Sequence, residues 1–370
     1  MRIYFFLFIL FYSLSAFSQV DISNPRALMF AADNEENIID VINLNEEIVV
    51  YEIETNNHID SLLSTPYAPI LIYTNIEKNL VSVYDLKSKK LVKEIALPIS
   101  PRNMVLDTTG TKIAFSDNHK GGFVLFSPYA ADIIFYIEDF PPTKDVLFDP
   151  NENEIFYTNN ENGSIGILNV NTRKIFEIPI IKDQNIIDLS SPSRSLDGRN
   201  IYFSNLMSGE VFALNTFSKI VFQTFEVGKN PIRPYTTPEG IFLYMIDQET
   251  GRFISVDQQY FEKYEDTIIG QKINLITVGR FDRMNLLASS ENKNYYIYDN
   301  VKKSIVAQGE FKYTPLTSLG SHDGKTAYIP FKDSPYIGAI NLENKQVKYI
   351  KATNKGIGAF NIGLSNNVCH

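Results

Sequence analysis

A five-residue pattern recurs along most of this chain and limits the folds that the chain can adopt. Leu71-Ile72-Tyr73-Thr74-Asn75 returns as IFYTN at residues 155–159 and as IYFSN at residues 201–205. Weaker copies complete a series of eight anchors, at Phe30, Tyr73, Phe115, Tyr157, Phe203, Tyr244, Leu287 and Tyr328. Successive anchors are 41 to 46 residues apart. Self-similarity at such a period indicates a repeat architecture.

The internal order of each copy predicts β-strands. A turn with Asp or Gly precedes the anchor strand, as in Ser195-Leu196-Asp197-Gly198, and a second alternating strand such as LVSVY at residues 80–84 follows it. Two further short strands complete the copy. Four β-rich strands per period are typical of a β-propeller blade. No segment has sustained helical periodicity, which disfavours α-solenoids.

The two ends of the repeat region predict how the ring closes. The first copy has no strand in front of its anchor, whereas GAFNIGLS at residues 358–365 aligns with the inner strand and turn at residues 102–107. We therefore expect the C-terminal strand to pair into the first blade. This pairing removes the free edges that an open sheet would expose. The predicted fold is an all-β propeller with eight four-stranded blades.

The pattern resembles a known family of repeats. The Tyr-Thr-Asn strand, the VSVYD strand at residues 81–85 and the Ser-x-Asp-Gly turn are similar to the YVTN-type β-propeller repeat of exported bacterial proteins. The resemblance covers nearly all of residues 19–370. Proteins of this type commonly have seven blades, so seven is the alternative, and the copy at Leu287 or Phe30 would then be something else. WD-type repeats are disfavoured because the chain contains no Trp.

The N-terminus has the pattern of a secretory signal peptide. Arg2 precedes an apolar run at residues 3–12, and the small residues Ala16 and Ser18 follow it. Cleavage after Ser18 would leave residues 19–370 as a single β-propeller domain, located in a periplasm or secreted. A membrane anchor is the weaker alternative, because the run is shorter than the roughly 20 residues of a spanning helix. We expect no membrane span after cleavage.

Charge and cysteine content exclude several classes of protein. The net charge is −9, so the chain lacks the excess of basic residues that nucleic-acid binding requires. One Cys allows neither an internal disulfide nor a Cys-rich zinc site. Pyrroloquinoline quinone is disfavoured as a cofactor, because the Trp-rich blade motifs and the adjacent Cys pair of quinoprotein dehydrogenases are absent. A metal or haem remains open.

Polar residues at equivalent loop positions predict a ligand site at one mouth of the central channel. Most of them come just before an inner strand, one follows an anchor strand, and one stands at an inner-strand position. These residues are His58, Arg102, Lys144 and Arg233, then His119, and finally Arg194. Such a mixed-charge mouth can hold a small anion, a metal or a partner side chain. The alternatives are ordinary solvated loops and, for Arg194, an irregular strand.

The final dipeptide is a second candidate site. Cys369 and His370 offer a thiolate and an imidazole beside the terminal carboxylate, which are ligands for copper, zinc or haem iron. The alternative is a frayed tail. Asn366 stands where the first Cys of a covalent haem motif would be, so that attachment site is absent.

The sequence leaves three functional hypotheses. The first is an exported, monomeric, non-catalytic binding or scaffold propeller that serves a periplasmic redox, metal or haem system. It would bind a protein partner or a small ligand at one face. The second is a propeller enzyme, or an oxidoreductase that holds haem or a metal at the channel mouth. The third is a protein of cell-surface adhesion. The identity of the ligand is not encoded in any motif we find.

Overall fold

The chain forms an eight-bladed β-propeller. A computed structural model describes residues 21–181 and 187–363; the predicted signal peptide at residues 1–18 and the Cys369-His370 pair lie outside the described residues. Within these ranges, thirty-two strands form eight antiparallel sheets of four strands each. The prediction of eight blades is confirmed. The seven-blade alternative is wrong, because the copies around Phe30 and Leu287 both form complete sheets.

Each blade contains four consecutive strands, except that the first takes its inner strand from the C-terminus. Blade 1 contains β1 (Leu28–Asp33), β2 (Ile38–Asn43), β3 (Ile48–Glu54) and β32 (Ile357–Ile362), and blade 2 contains β4 (Ser61–Ser64), β5 (Ile70–Asn75), β6 (Leu80–Asp85) and β7 (Lys90–Ala96). Blade 3 contains β8 (Asn103–Leu106), β9 (Ile113–Ser116), β10 (Phe123–Ser127) and β11 (Asp132–Ile137), and blade 4 contains β12 (Val146–Phe148), β13 (Glu154–Asn159), β14 (Ser164–Asn169) and β15 (Ile175–Pro179).

Blades 5 to 8 follow the same order along the chain. Blade 5 contains β16 (Ser193–Arg194), β17 (Asn200–Asn205), β18 (Glu210–Asn215) and β19 (Ile220–Glu226), and blade 6 contains β20 (Tyr235–Thr236), β21 (Phe242–Ile246), β22 (Arg252–Asp257) and β23 (Lys263–Ile268). Blade 7 contains β24 (Leu275–Val278), β25 (Met284–Ala288), β26 (Asn294–Asp299) and β27 (Ser304–Glu310), and blade 8 contains β28 (Leu319–Gly320), β29 (Thr326–Pro330), β30 (Tyr336–Asn341) and β31 (Val347–Lys351). In the described ranges, two short 3₁₀ turns lie at Pro25–Ala27 and Arg280–Asp282. No helix in these described ranges is long and apolar enough to span a membrane.

The anchors of the repeat all lie in the second strand of a blade, where both faces of the sheet are buried. Alternate side chains of a strand point to opposite faces, and in a propeller each face packs on a neighbouring blade. Phe115 of blade 3, for example, packs in one cluster with Ile72 of blade 2, whereas the adjacent Ala114 belongs to the cluster shared with Tyr157 of blade 4. The outer strands, such as β7 and β19, are more exposed, which explains why polar residues alternate with apolar ones there.

The Ser-x-Asp-Gly turn of blade 5 packs closely against the blade before it. In blade 5 the Ser195 hydroxyl donates to the Asp197 carboxylate over 2.6 Å, and Gly198 has φ of +70°. A Cβ atom on Gly198 would lie 2.2 Å from Pro150 of blade 4. Glycine is required here both for the left-handed backbone and for the close approach of the two blades.

The C-terminal strand closes the ring, as predicted. Strand β32 pairs with β1 along the residues from Met29 to Asp33, and the Gly363 amide donates to the Leu28 carbonyl over 3.0 Å. The Asn361 side chain reaches the next blade, where its Oδ1 accepts from the amide (3.0 Å) and the hydroxyl (2.8 Å) of Ser64. The seam therefore has hydrogen bonds within blade 1 and to blade 2.

Candidate functional site at the upper mouth

Antiparallel pairing decides which loops share a face of the ring. In every blade the segment leading into the inner strand and the loop between the second and third strands lie at the same end of the sheet. We call this end the upper face, and the opening of the central channel there the upper mouth. The sequence-predicted residues that the topology places on the upper face are His58, Arg102, His119, Lys144 and Arg233.

Arg194 lies apart from the other predicted residues. It ends β16, directly before the turn at the lower end of blade 5, and is only 6% exposed. Its Nη1 donates to the Phe148 carbonyl of blade 4 over 2.9 Å, and its own carbonyl accepts from the Thr236 hydroxyl of blade 6 over 2.7 Å. These contacts tie three inner strands together. The ligand-binding role predicted for Arg194 stays a prediction beside this structural role.

Part of the central channel forms a cavity with mostly apolar walls. A cavity of about 200 Å³ is lined mainly by the inner strands of blades 1 to 4. Its lining residues are Leu63, Ser64, Pro66, Met104, Val105, Leu106, Asp145, Val146, Leu147, Arg233, Asn361, Ile362 and Gly363. Asp145 and Arg233 are the charged members of this lining within the described residues.

Asp145 and Arg233 form an ion pair that skips one blade. Asp145 leads into blade 4 and Arg233 into blade 6, and Arg233 Nη1 lies 3.8 Å from Asp145 Oδ2. The other Asp145 oxygen accepts the Val146 amide over 2.9 Å. The surrounding protein raises the pKa of Asp145, and the Arg233 charge opposes this rise. Because 26% of the Asp145 side chain remains exposed, the carboxylate is accessible from the channel.

The other predicted basic residues at the upper face also have carboxylate neighbours. Arg102 Nε lies 3.5 Å from Asp117 Oδ1, and the same carboxylate oxygen accepts the His119 backbone amide over 2.8 Å. Asp117 thus brings two predicted residues together. Charges around the mouth are arranged as pairs and do not form a cationic ring.

Two further pairs complete this arrangement. The Lys144 ammonium contacts Asp188, which stands before the inner strand of the next blade. His58 Nε2 lies 3.9 Å from Asp60 Oδ1, and 46% of the His58 side chain is exposed. The sequence predicted the basic residues of these pairs, but it did not show which carboxylates pair with them. Equal spacing from the anchors marks Asp188 as a loop residue, but it does not show that Lys144 of the preceding blade reaches it.

The structure bears on the two cofactors that the sequence left open, a metal ion and a haem. Residues Cys369 and His370 lie outside the described ranges, so their role as metal ligands stays a prediction. Within the described ranges, no three His, Cys, Asp or Glu side chains are arranged to hold a metal ion. Cofactor and drug-sized ligand pockets usually measure about 300–1,000 Å³, and the cavity that the inner strands of blades 1 to 4 line is smaller, about 200 Å³.

Comparisons with known proteins agree on the fold and give no family for the whole chain. A family model described as the second β-propeller of WDR19 matches residues 29–185, which is less than half of the sequence. No curated protein sequence matches the chain. The fold and the mouth together define a β-propeller repeat protein with paired charges at its upper opening.

Solved structures of very different sequence have similar folds. The dihydro-heme d1 dehydrogenase NirN, solved in complex with DHE, aligns with a TM-score of 0.76 at 12% identity over 94% of this chain and 77% of its own. The β-propeller domain of Cps50 (Swd1) from Myceliophteria thermophila aligns at 0.58, with 10% identity over 81% and 98% of the two chains. Hydrazine synthase from Kuenenia stuttgartiensis aligns at 0.56, with 13% identity over 79% and 95%.

Proposed function

We propose that this chain is an exported, non-catalytic β-propeller that binds a protein partner at its upper mouth. The signal-peptide pattern at residues 1–18 and the YVTN-type repeat support export. The partner would belong to a redox system outside the cytoplasm, and the propeller would act as its scaffold or accessory. Similarity of fold to a dehydrogenase and to hydrazine synthase is consistent with this setting.

The observation that carries the proposal is the Asp145–Arg233 pair at the upper mouth. It fixes a carboxylate and a guanidinium next to each other, 3.8 Å apart and both partly exposed, in the lining of a cavity of about 200 Å³. A cavity of this size admits a partner side chain, whereas a molecule of ordinary cofactor size usually occupies a larger pocket. Fixed, paired charges give specificity and orientation to a protein contact.

Photo-cross-linking in the native host tests the proposed face. A photoreactive amino acid replaces Lys229, which lies near Arg233 and has a side chain that is 77% exposed. The matched control replaces Lys345, a partly exposed residue in a turn at the lower face. We expect one protein to be captured from position 229 and not from position 345. Equal capture from both positions, or none from position 229, would contradict the proposal.

Absorption spectroscopy and metal analysis separate the scaffold from the oxidoreductase alternative. The protein is expressed with its leader in a haem-producing host and purified from the periplasm. For the scaffold we expect no Soret band and no stoichiometric metal in the protein alone, and a redox cofactor in the partner captured from position 229. A cofactor bound to this chain together with substrate turnover would favour the enzyme.

Removal of Arg233 should destabilise the protein in a pH-dependent way. Arg233→Ala takes away the charge that opposes the rise in the pKa of Asp145, so that the pKa rises further and the ionised carboxylate lacks its partner. We expect a loss of about 1 kcal/mol in the free energy of unfolding at pH 7. The loss should shrink as the pH falls and Asp145 becomes protonated. Denaturant unfolding at pH 7 and pH 5 measures both values.

Two variants control this prediction. Asp145→Asn in the Arg233→Ala background should restore most of the lost stability, because the unpaired charge is gone. Lys229→Ala removes a cation from the same loop. Because Glu249, the partner of Lys229, is 56% exposed, this variant should change the free energy of unfolding by less than about 0.5 kcal/mol. Equal effects of the two Ala variants would argue against a special role for the Asp145–Arg233 pair.

A further inference from the structure

A second cavity lies on the flank of the ring, where blade 8 meets blade 1. It measures about 370 Å³ and has five carboxylates, one Lys and several apolar side chains in its lining. The lining consists of Asp33, Glu36, Ile38, Asp40, Glu47, Ile48, Val49, Glu52, Lys351, Ala352, Thr353 and Asn354. We call it the seam cavity. Since none of these residues lines the channel, the seam cavity is independent of the upper mouth.

Three of the five carboxylates already have partners. Asp33 accepts four backbone amides, those of residues 35, 36, 354 and 355. Glu36 accepts the Asn354 side-chain amide over 2.9 Å, and Glu47 forms an ion pair with Lys348. These groups are accounted for by the structure of the seam itself.

Asp40 and Glu52 have no such partners. Asp40 is only 5% exposed and lines the cavity, yet its carboxylate has no hydrogen bond or ion pair with any residue in the described part of the chain. Its cross-strand neighbour in the β2–β3 pair is Glu52, which is likewise unpaired among the described residues. A buried carboxylate without a partner, directly opposite a second carboxylate, is costly. Either protonation of Asp40 or a bound cation relieves this cost, and above neutral pH a cation is the remaining way.

Only the seam blade has this arrangement. The position of Asp40, three residues before the polar residue that ends the third strand, is occupied in blades 2 to 8 by Ser82, Val124, Gly166, Phe212, Ile254, Tyr296 and Gly338. In blade 2, for example, the corresponding cross-strand pair is Ser82 with Glu94. The repeat therefore does not require an acid at this position, and blade 1 departs from it at the seam cavity.

We propose that the seam cavity binds an alkylammonium ion, with the ammonium group on Asp40 and Glu52. The methylene chain would lie against Ile38, Ile48 and Val49. The volume is within the usual range of small-molecule sites, about 300–1,000 Å³. A metal ion fits less well, because the described residues do not place three His, Cys, Asp or Glu ligands around a common point.

The charges around Asp40 make this binding sensitive to pH. Burial, together with the charges of the nearby Glu52, Asp33 and Glu36, raises the pKa of Asp40 to about 7. Glu47 and Lys351 are the other charged groups in the lining; Glu47 is neutralised by Lys348. An alkylammonium group stays protonated below pH ~10. Affinity should therefore increase as Asp40 loses its proton, by about tenfold between pH 6 and pH 8.5.

Calorimetric titration with cadaverine tests the proposal. We expect saturable binding to the wild-type protein that strengthens about tenfold from pH 6 to pH 8.5, and at least tenfold weaker binding to Asp40→Asn and to Glu52→Gln. The control is Glu94→Gln, which removes a carboxylate from the same strand position in blade 2; it should leave binding unchanged. Equal binding to the wild type and Asp40→Asn would overturn the proposal.

Other probes identify the chemistry that is recognised. Pentanol tests the methylene chain without the charge, and we expect no binding. Calcium chloride tests a metal site; calcium binding that displaces cadaverine would overturn the proposal. A lysine-containing tripeptide with blocked ends distinguishes a free amine from a basic peptide side chain, since both carry the ammonium group. Binding of cadaverine or of the tripeptide to the wild-type protein, with loss of that binding in Asp40→Asn, supports the site.

A stability measurement keeps the proposal testable apart from binding. The raised pKa of Asp40 means that the folded protein holds this proton more tightly than the unfolded chain. The unfolding midpoint of the wild-type protein should therefore fall as the pH rises through about 7, and that of Asp40→Asn should fall less. Cadaverine should raise the wild-type midpoint at pH 8.5 and leave that of Asp40→Asn unchanged. Equal shifts in both proteins would overturn the assignment of the site to Asp40.

Discussion

Deletion of residues 357–370 is expected to abolish the recovery of soluble, folded protein. The deletion removes β32 and leaves β1 as an unpaired inner edge in blade 1. All six residues of β1 are buried in the closed ring, including Met29 and Phe30. The truncated chain would expose them together with the free amides and carbonyls of the strand. An exposed, apolar edge of this kind promotes association between chains.

A circular permutant provides the matched control for the deletion. Gly363 lies beside the start of blade 1, since its amide bonds the Leu28 carbonyl. A chain that begins near residue 354, continues through residue 363 by a short turn into residue 25 and ends near residue 353 contains the same closing strand. We expect this permutant to fold, and a chain lacking only residues 364–370 to fold as well. A soluble deletion variant with one cooperative unfolding transition would refute the closure argument.

Substitution of Asn300 by Ala should cause the largest loss of stability among single polar substitutions between blades 6 and 7. The Asn300 side-chain amide donates to the Tyr244 hydroxyl and to the Asp282 carbonyl. Its oxygen accepts from the Asn285 amide over 3.1 Å. All three side chains are buried, so the substitution leaves several polar groups unpaired away from water. We expect the free energy of unfolding to fall by about 3 kcal/mol.

Chemical denaturation of four variants measures the contribution of this network. Tyr244→Phe, Asn300→Ala and the double variant form a cycle, in which the double variant should lose clearly less than the sum of the two single losses. Asn171→Ala is the matched control, because its amide makes an exposed hydrogen bond to Asn153; it should cost less than about 0.5 kcal/mol. Additive losses would show that the buried groups act independently.

The strands were predictable because their signal is local. Tyr73, Tyr157 and Phe203 lie in second strands whose two faces both pack on neighbouring blades, so apolar residues fill the strand and turn residues end it. The same turn chemistry returns in each copy, as Gly198 illustrates. The alternative of seven blades failed because degenerate copies, such as that around Leu287, keep the strand pattern while losing the anchor motif.

The mouth was predictable only in part. Position relative to the anchor placed His58, Arg102, Lys144 and Arg233 correctly on one face, because every blade has the same strand order. Their partners depend on how far a side chain reaches across the ring, and Arg233 passes blade 5 to contact Asp145. Spacing within a repeat contains no information on such distances.

The sequence by itself determined the class of fold and the strand that closes the ring, and it favoured eight blades over seven. These properties follow from local periodicity, turn residues and the missing strand of the first copy. The tertiary structure alone decided that Arg194 is buried among three inner strands, that mouth charges are paired, and that Asp40 faces a cavity without a partner. The physical reason is that burial and charge pairing between blades depend on how side chains pack across the ring. This packing brings together residues that are distant in sequence.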